Sequence, residues 1–301
     1  MRIGIDLGGT KIEGVLMADD SSIIKRVRIP TPVNDYAGQI SAIASIVSAL
    51  ELDSGLSHLR VGLGHPGTVS PATGKIKNAN STCLNGRALR QDLASAIGRE
   101  IRMANDADCL AVSEQADGAA AGVANTFAVI LGTGVGGGAI INGRLLSGPN
   151  GIAGEWGHNP LPWPDPDWDE VPGPLHWDER HGAIEAWLSG PGMSADHLRR
   201  TGDSLTAAEI AAGAAMGAGD CALTLERYEH RLARALATVI NVLDPEVIVL
   251  GGGLSHVHRL YQNVPALWGQ WIFSDTVNTD LRPALHGDSS GVRGAAWLWP
   301  A

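Results

Sequence analysis

Apolar and polar positions alternate from the start of the chain. Ile3, Ile5 and Leu7 share one face of an extended segment, Gly8-Gly9-Thr10 interrupt it, and residues 12–16 resume it, so the pattern predicts strand, tight turn, strand. The unit recurs much later: residues 127–131 run into the glycine-rich stretch 132–138, and Ala139-Ile140-Ile141 lead to Asn142-Gly143, a hairpin signal. A repeated strand, glycine turn and strand predicts two lobes on related plans. Between the two units the periodicity predicts a helix over 35–50, a strand over 60–63 before a Pro66-Gly67 turn, and a helix over 107–116. Residues 163–174 carry too much proline for a helix or a central strand, which predicts an ordered excursion or a flap. Residues 223–243 show helical spacing, end at Asp244-Pro245, and precede a buried strand over 247–250 and Gly251-Gly252-Gly253. A last helix from Gly291 is expected to fold back on the first lobe. Strands alternating with helices indicate an α/β architecture.

The 301 residues are about twice a usual domain, enough for two lobes with sizeable cores. Hydrophobic residues at 44% and charged ones at 18% exclude a disordered or fibrous chain. Cys83, Cys109 and Cys221 are widely separated and odd in number, which excludes a disulfide framework and an all-cysteine zinc site. A net charge of −10 without a basic cluster opposes nucleic-acid backbones. No apolar run approaches ~20 residues, and the strand pattern from Ile3 leaves no room for a signal peptide. A soluble cytoplasmic protein without nucleic-acid or membrane partners is the expectation.

Three glycine turns follow strands. Backbone N–H groups at such turns approach a phosphate closely because no Cβ intervenes. Asp6-Leu7-Gly8-Gly9-Thr10-Lys11 lacks Walker A spacing; it reads either as a phosphate hairpin with Asp6 facing a metal or as a plain tight hairpin. Gly132, Gly134 and Gly137 match a dinucleotide fingerprint in form, yet the β-branched residues that follow predict a strand where the fingerprint needs a helix. Gly251-Gly252-Gly253 fits a nucleotide contact or an ordinary strand-to-helix connection. Together the three turns point to a nucleotide cleft. Asn105 and Asp106 stand before a helix, as N-cap or as an acid–base pair in which Asp106 accepts a hydroxyl proton. Glu155 and His158, in a glycine-bracketed loop, can converge on one polyol.

Asp6–Lys11, Asn105-Asp106, 131–134 and 154–158 resemble the signature set of the ROK family of bacterial sugar kinases and sugar-responsive repressors. Residues 78–82, 154–162 and 286–297 resemble its fructokinase/mannokinase branch. The resemblance covers essentially the whole chain and implies an actin-like ATPase (ribonuclease H-like) fold of two lobes around a cleft. The lobes would span 1–118, completed by 290–301, and 119–289. It implies ATP-dependent phosphorylation of a hexose, fructose to fructose 6-phosphate first, with mannose as a further substrate. Glucose or N-acetylhexosamine phosphorylation is the alternative, and a non-catalytic sugar sensor the reading from another class. By resemblance, Asp106 is the general base. Asn80, Ser81, Asn105, Glu155, His158 and Glu185 hold the sugar and Gly67 lines its pocket. Asp6, Gly8, Gly9, Thr10 and Lys11, with Gly132, Thr133, Gly134 and Gly136, embrace the phosphates and Mg²⁺, which Asp6 meets through water, and Gly251 and Gly252 meet the adenosine. A homodimer built on helices of the second lobe is implied too. The helix-turn-helix of the repressors has no counterpart ahead of Ile3.

One departure stands out. Members of this branch carry a cysteine loop that, with the histidine of Gly-His, binds a structural zinc. Here residues 172–185 keep Ile184-Glu185 but no cysteine, and Ala183 takes the last cysteine position. Either His158, His176 and His181 with Asp178 or Glu179 form a substitute zinc site, or packing holds the loop. Five of the nine tryptophans, Trp156, Trp163, Trp168, Trp177 and Trp187, fall in this region, and the absence of thiolates favours packing and loss of the zinc. Trp156, beside Glu155, is the candidate for stacking on a sugar.

Overall fold

The computed structural model describes residues 1–299, so the last two residues of segment 290–301 lie outside the described residues. β1 (Arg2–Leu7) turns through Gly8-Gly9-Thr10 into β2 (Lys11–Met17), and β3 (Ile23–Pro30) follows. α1 (Tyr36–Ser54) starts where Asp35 accepts the Gly38 N–H and stops at Gly55 in the left-handed conformation. β4 (Arg60–His65), the short hairpin β5 (Thr68–Val69) and β6 (Ile76–Lys77), α2 (Leu89–Ile97) and β7 (Ile101–Asn105) complete a sheet of order β3-β2-β1-β4-β7 with its hairpin. The alternation in β1 has a packing reason. Ile3 and Ile5 join a core with Ile43, Ile46 and Leu50 of α1. Gly4 faces the other way, where a Cβ would fall 2.1 Å from the Val292 carbonyl oxygen.

After α3 (Asp106–Asp117), the second sheet is built from β8 (Thr126–Leu131), β9 (Val135–Ile141), β10 (Arg144–Leu145), β11 (Val247–Gly251) and β12 (Asp280–Pro283), in the order β10-β9-β8-β11-β12. Strand for strand, order and direction match the first sheet. The doubled plan is that of the actin-like ATPases. Helices α4 (Ile184–Leu188), α5 (Gly190–Thr201), α6 (Ala207–Ala215), α7 (Gly219–Leu243) and α8 (Leu260–Trp268) carry the second core. There Leu225, Leu232 and Leu236 of α7 pack with Phe127, Val129, Ile248 and Leu250, each buried side chain contributing roughly 1.5–3 kcal/mol.

The two cores are joined by exchanged helices. α3 leaves the first sheet yet packs on β8 and β9, while α9 (Ser290–Trp297) leaves the second and packs on β1 and β4. The pair touch each other closely: a Cβ on Gly294 would fall 1.8 Å from the Cys109 carbonyl oxygen. Glu114 of α3, fully buried, accepts from the N–H groups of Ala119, Leu285 and His286 and from the Ser290 hydroxyl. Asp117 takes Arg293 and His286. The lobes are thus sewn together at the helix carrying Asp106.

The proline-rich excursion is an ordered structure pinned by charge. Buried Glu170 accepts from Arg231 at 2.7 Å, from Arg234 at 2.8 Å and from the Asp165 N–H at 2.6 Å. Its tryptophans scatter: Trp187 lies under Arg231 and Arg199, Trp168 meets His230, and Trp163 stacks on Trp271. Among the described residues no helix is long and apolar enough to cross a membrane.

Candidate active site

Asp6 stands near the end of β1, opposite Glu13 and beside Gly64 of β4. Gly64 and Gly291 flank its carboxylate, and a Cβ on Gly291 would reach within 2.9 Å of Oδ2. Burial, then the charges of Asp106 and Glu13, raise the Asp6 carboxyl to about 6, with Lys11 opposing them. A carboxylate crowded by two others, with room beside it, suits a bound cation. The hairpin beyond it is tight: Gly8 donates to the Lys11 carbonyl and its own carbonyl accepts the Thr31 hydroxyl. Gly9 and Thr10 are exposed. Lys11 leans on Glu13 at 3.8 Å, a residue that Arg26 and Arg28 also hold at 2.6 Å.

At the start of α3 the two sequence alternatives separate. Asn105 is the N-cap, its Oδ1 accepting the Asp108 N–H at 2.7 Å. Asp106 is the first helical residue, bonded by Oδ1 to the Ala107 N–H, and remains open to solvent. It is accessible yet crowded, as at the floor of a cleft, and desolvation by the walls, with the Glu155 charge, raises its pKa. Asp108, to which sequence reasoning gave no role, belongs to the same cluster. Its Oδ1 is buried without a hydrogen-bond partner, and burial with the charges of Glu155 and Asp106 raises it to about 7. Its signal was present in the motif Asn105-Asp106-Ala107-Asp108, but only folding brings Glu155 against it.

A raised carboxyl pKa means that the folded state binds the proton more tightly than the unfolded chain. The stabilisation is complete below pH 3.8 and is lost as pH rises through about 7. Asp108→Asn is therefore expected to raise the melting temperature of the ligand-free protein at pH 8, by roughly 2–4 °C for each kcal/mol recovered. The gain should be clearly smaller at pH 5, on the way to vanishing below about 3.8. Scanning calorimetry at both values checks it; an equal shift at both would contradict the account.

The second glycine turn is shaped by close approach. A Cβ on Gly137 would stand 2.7 Å from the Gly154 carbonyl oxygen, and one on Gly138 2.6 Å from that of Ala107. The strand thus admits the Glu155 loop and the first turn of α3. Gly136 also faces Ala107, while Gly132 accepts the Gly190 N–H at the head of α5. Thr133 is exposed between them. Glu155 accepts the Thr68 hydroxyl at 3.1 Å, with His158 3.7 Å from its other oxygen. Glu185 approaches Gly134 and commits both oxygens: Oε2 accepts the Val135 N–H, and Oε1 meets His176 and the Trp177 indole N–H. Burial opposes ionisation of Glu185, but these donors hold its pKa below the usual value.

One cavity adjoins the second glycine turn and another the 78–82 segment. The first, of about 1140 Å³, is lined by Gly132, Thr133, Gly190, the alanine face of α6 and residues 253–254 and 256–259. Gly251 and Gly252 are not in its lining; Gly251 faces Leu110 and Gly252 the Leu131 carbonyl. The other, of about 810 Å³, is lined by Asn78, Asn80, Thr82 and Trp177 among others. Ser81 adjoins Gly9, and Gly67, at φ +74°, faces the Ala79 backbone. His158 and His176 come together with Asp178, whereas His181 turns to the Gly173 carbonyl. Trp156 is a core residue, 6% exposed, donating to the Gly136 carbonyl and set edge-on to Phe127; the indole exposed in the lining of the smaller cavity is Trp177.

A model of the ROK family matches residues 2–301. An N-acetyl-D-glucosamine kinase of Photobacterium profundum is 36% identical over 301 residues, 99% of each chain. One of Yersinia enterocolitica is 37% identical over 301 residues with the same coverage. Among solved structures, a ROK hexokinase from Thermus thermophilus has a TM-score of 0.86 at 27% identity, covering 98% of this chain and 96% of its own. A ROK family glucokinase from Streptomyces griseus, in complex with glucose and AMPPNP, shares the fold with a TM-score of 0.79 at 24% identity, over 99% and 98% of the chains.

Proposed function

The chain belongs to the ROK family, and from that premise we propose that it is an ATP-dependent kinase acting on an N-acetylhexosamine, N-acetylglucosamine first. The observation that carries the kinase reading is Asp106: an accessible carboxylate with a raised pKa, fixed at a helix start between two glycine turns. The relatives support the N-acetylhexosamine alternative above the fructose preference, since those at 36% and 37% identity over nearly the whole chain are N-acetyl-D-glucosamine kinases. The cavity beside Asn78 and Asn80 gives amide-lined room for an acetamido substituent.

In this reading the acceptor hydroxyl gives its proton to Asp106 as its oxygen bonds to the γ-phosphorus, and the bond from that phosphorus to the β-bridging oxygen breaks to leave ADP. Glu155, His158, Asn105, Asn80, Ser81 and Glu185 orient the sugar, with Gly67 in the pocket wall. The turns at Gly8–Lys11 and 132–136 take the phosphates by their N–H groups, and the larger cavity takes the adenosine. Asp6 would hold magnesium through water, and bound magnesium would supply charge neutralisation on the phosphates.

Coupled ADP release over N-acetylglucosamine, N-acetylmannosamine, glucose, mannose and fructose tests the assignment. We expect kcat/KM for N-acetylglucosamine to exceed that for fructose by at least ~10²-fold, as a site that bonds a substrate amide discriminates against an analogue lacking it. A higher value for fructose would restore the fructokinase reading.

A further inference from the structure

The smaller cavity is larger than its part in the reaction requires. Its volume of about 810 Å³ lies in the range that holds a drug-sized ligand, whereas an acetamido group adds only a few non-hydrogen atoms. Asp106, Glu155, His158 and Glu185 are not in its lining, so most of it extends away from the reacting centre. It nonetheless adjoins the acceptor wall. A Cβ on Gly67 would fall 2.6 Å from the Lys77 carbonyl oxygen, and Trp177 donates its indole N–H to Glu185 at 3.1 Å.

Charge sets this cavity apart. The chain has four lysines against a net charge of −10, and two of them, Lys75 and Lys77, line it. The other two face acids: Lys11 is 3.8 Å from Glu13 and Lys25 is 2.8 Å from Asp53. Among the described residues Lys75 and Lys77 have no ion-pair partner, and no acidic side chain lines the cavity. Their placement follows from the strand. The Ser70 N–H donates to the Lys75 carbonyl at 2.8 Å and extends the β5–β6 pairing, while Ile76 is buried in the first core. Period-two alternation therefore sends Lys75 and Lys77 together to the outer face. Asn78 and Asn80 add neutral amides, and Asn85 holds their loop by bonding both the N–H and the carbonyl of Ala79. Trp177, from the loop between β10 and α4, is 64% exposed yet fixed, its N–H on Glu185 and its ring perpendicular to that of His158. A fixed indole and amides suit a saccharide, and two unpaired ammonium groups suit an anion.

We propose that this cavity is an anion subsite beside the acceptor site, taking the carboxylate or phosphate substituent of an acidic N-acetylhexosamine. The N-acetylhexosamine part rests on the acceptor reading given above; the anion preference rests on Lys75, Lys77 and the cavity they line.

Calorimetric binding to the wild-type protein tests it with two matched pairs of sugars. N-acetylmuramic acid, whose carboxylate hangs from an ether at O3, is compared with the uncharged 3-O-methyl ether of N-acetylglucosamine, and N-acetylglucosamine 1-phosphate with the methyl glycoside. We expect the acid of one pair to bind about 10-fold more tightly than its neutral counterpart, and the pair that gains shows where the charge sits. Lys75→Gln combined with Lys77→Gln should abolish the gain, and about 1 M salt should shrink it in the wild type, where no variant is needed. Turnover of N-acetylglucosamine should be unchanged in the double variant. A gain in neither pair, or one that withstands the double substitution or the salt, would overturn the proposal. Turnover also separates the two readings: its absence counts against the kinase and not against a lysine-dependent gain, while turnover without that gain counts against the subsite alone.

Discussion

Asp106→Asn is expected to lower kcat by about 10²–10⁴-fold while sugar affinity changes little. The asparagine keeps the shape of the side chain and an oxygen for the Ala107 N–H, which Asp106 Oδ1 now accepts at 2.9 Å. It cannot take the hydroxyl proton. Asn105 supplies the N-cap, so the helix start is not at stake. The pH profile carries the same claim. Desolvation and the Glu155 charge hold the Asp106 pKa above the usual carboxylate range, so the base is lost as pH falls through a raised value. The acid limb of kcat/KM should lie above the ordinary aspartate value of about 4, and it should disappear in the variant. Pre-steady-state rates with calorimetric sugar binding separate the two effects. Equal losses in binding and turnover would make Asp106 a structural residue.

Glu170→Ala should cost about 3–5 kcal/mol, because it strands Arg231 and Arg234 in the interior without their carboxylate. Those arginines expose 1% and 4% of their side chains, and Asp196 is the acid left to answer Arg231, at 3.0 Å. The Asp165 N–H would lose its acceptor as well, freeing the proline-rich excursion. Burial pushes the Glu170 pKa up, but the donors from Arg234, Asp165 and Arg231 hold it below its ordinary value. With the folded pKa depressed, the stabilisation is present above the unfolded pKa of 4.5 and fades as pH falls through the folded one. Denaturant unfolding at pH 7 checks the magnitude. A loss under about 1 kcal/mol would show that water, not Glu170, satisfies the arginines.

What the sequence revealed was local and repeated. The first strand and its turn were legible because Ile3 and Ile5 fill one core while Gly4 yields to α9, and period-two alternation records that contrast. The recurrence at residues 127–141 announced the second sheet. It did not announce that the strand orders would coincide or that α3 and α9 would cross over, because strand pairing and helix exchange join residues far apart in the chain. In the loop after β10, the spacing gave His176 and His181 equal standing; the short reversal from His176 to Arg180 settles which turns inward. Trp156 looked like a sugar platform because it adjoins Glu155, yet its indole faces the Gly136 carbonyl and Phe127. Asp108 read as one more helical residue until Glu155, from the other lobe, came against it.

The most direct test of the central claim is phosphorus NMR of the wild-type protein incubated with ATP, magnesium and N-acetylglucosamine. A sugar phosphomonoester resonance should grow in step with ADP and be absent with Asp106→Asn. Sugar binding by calorimetry without any ester signal would contradict the account and make this chain a sensor.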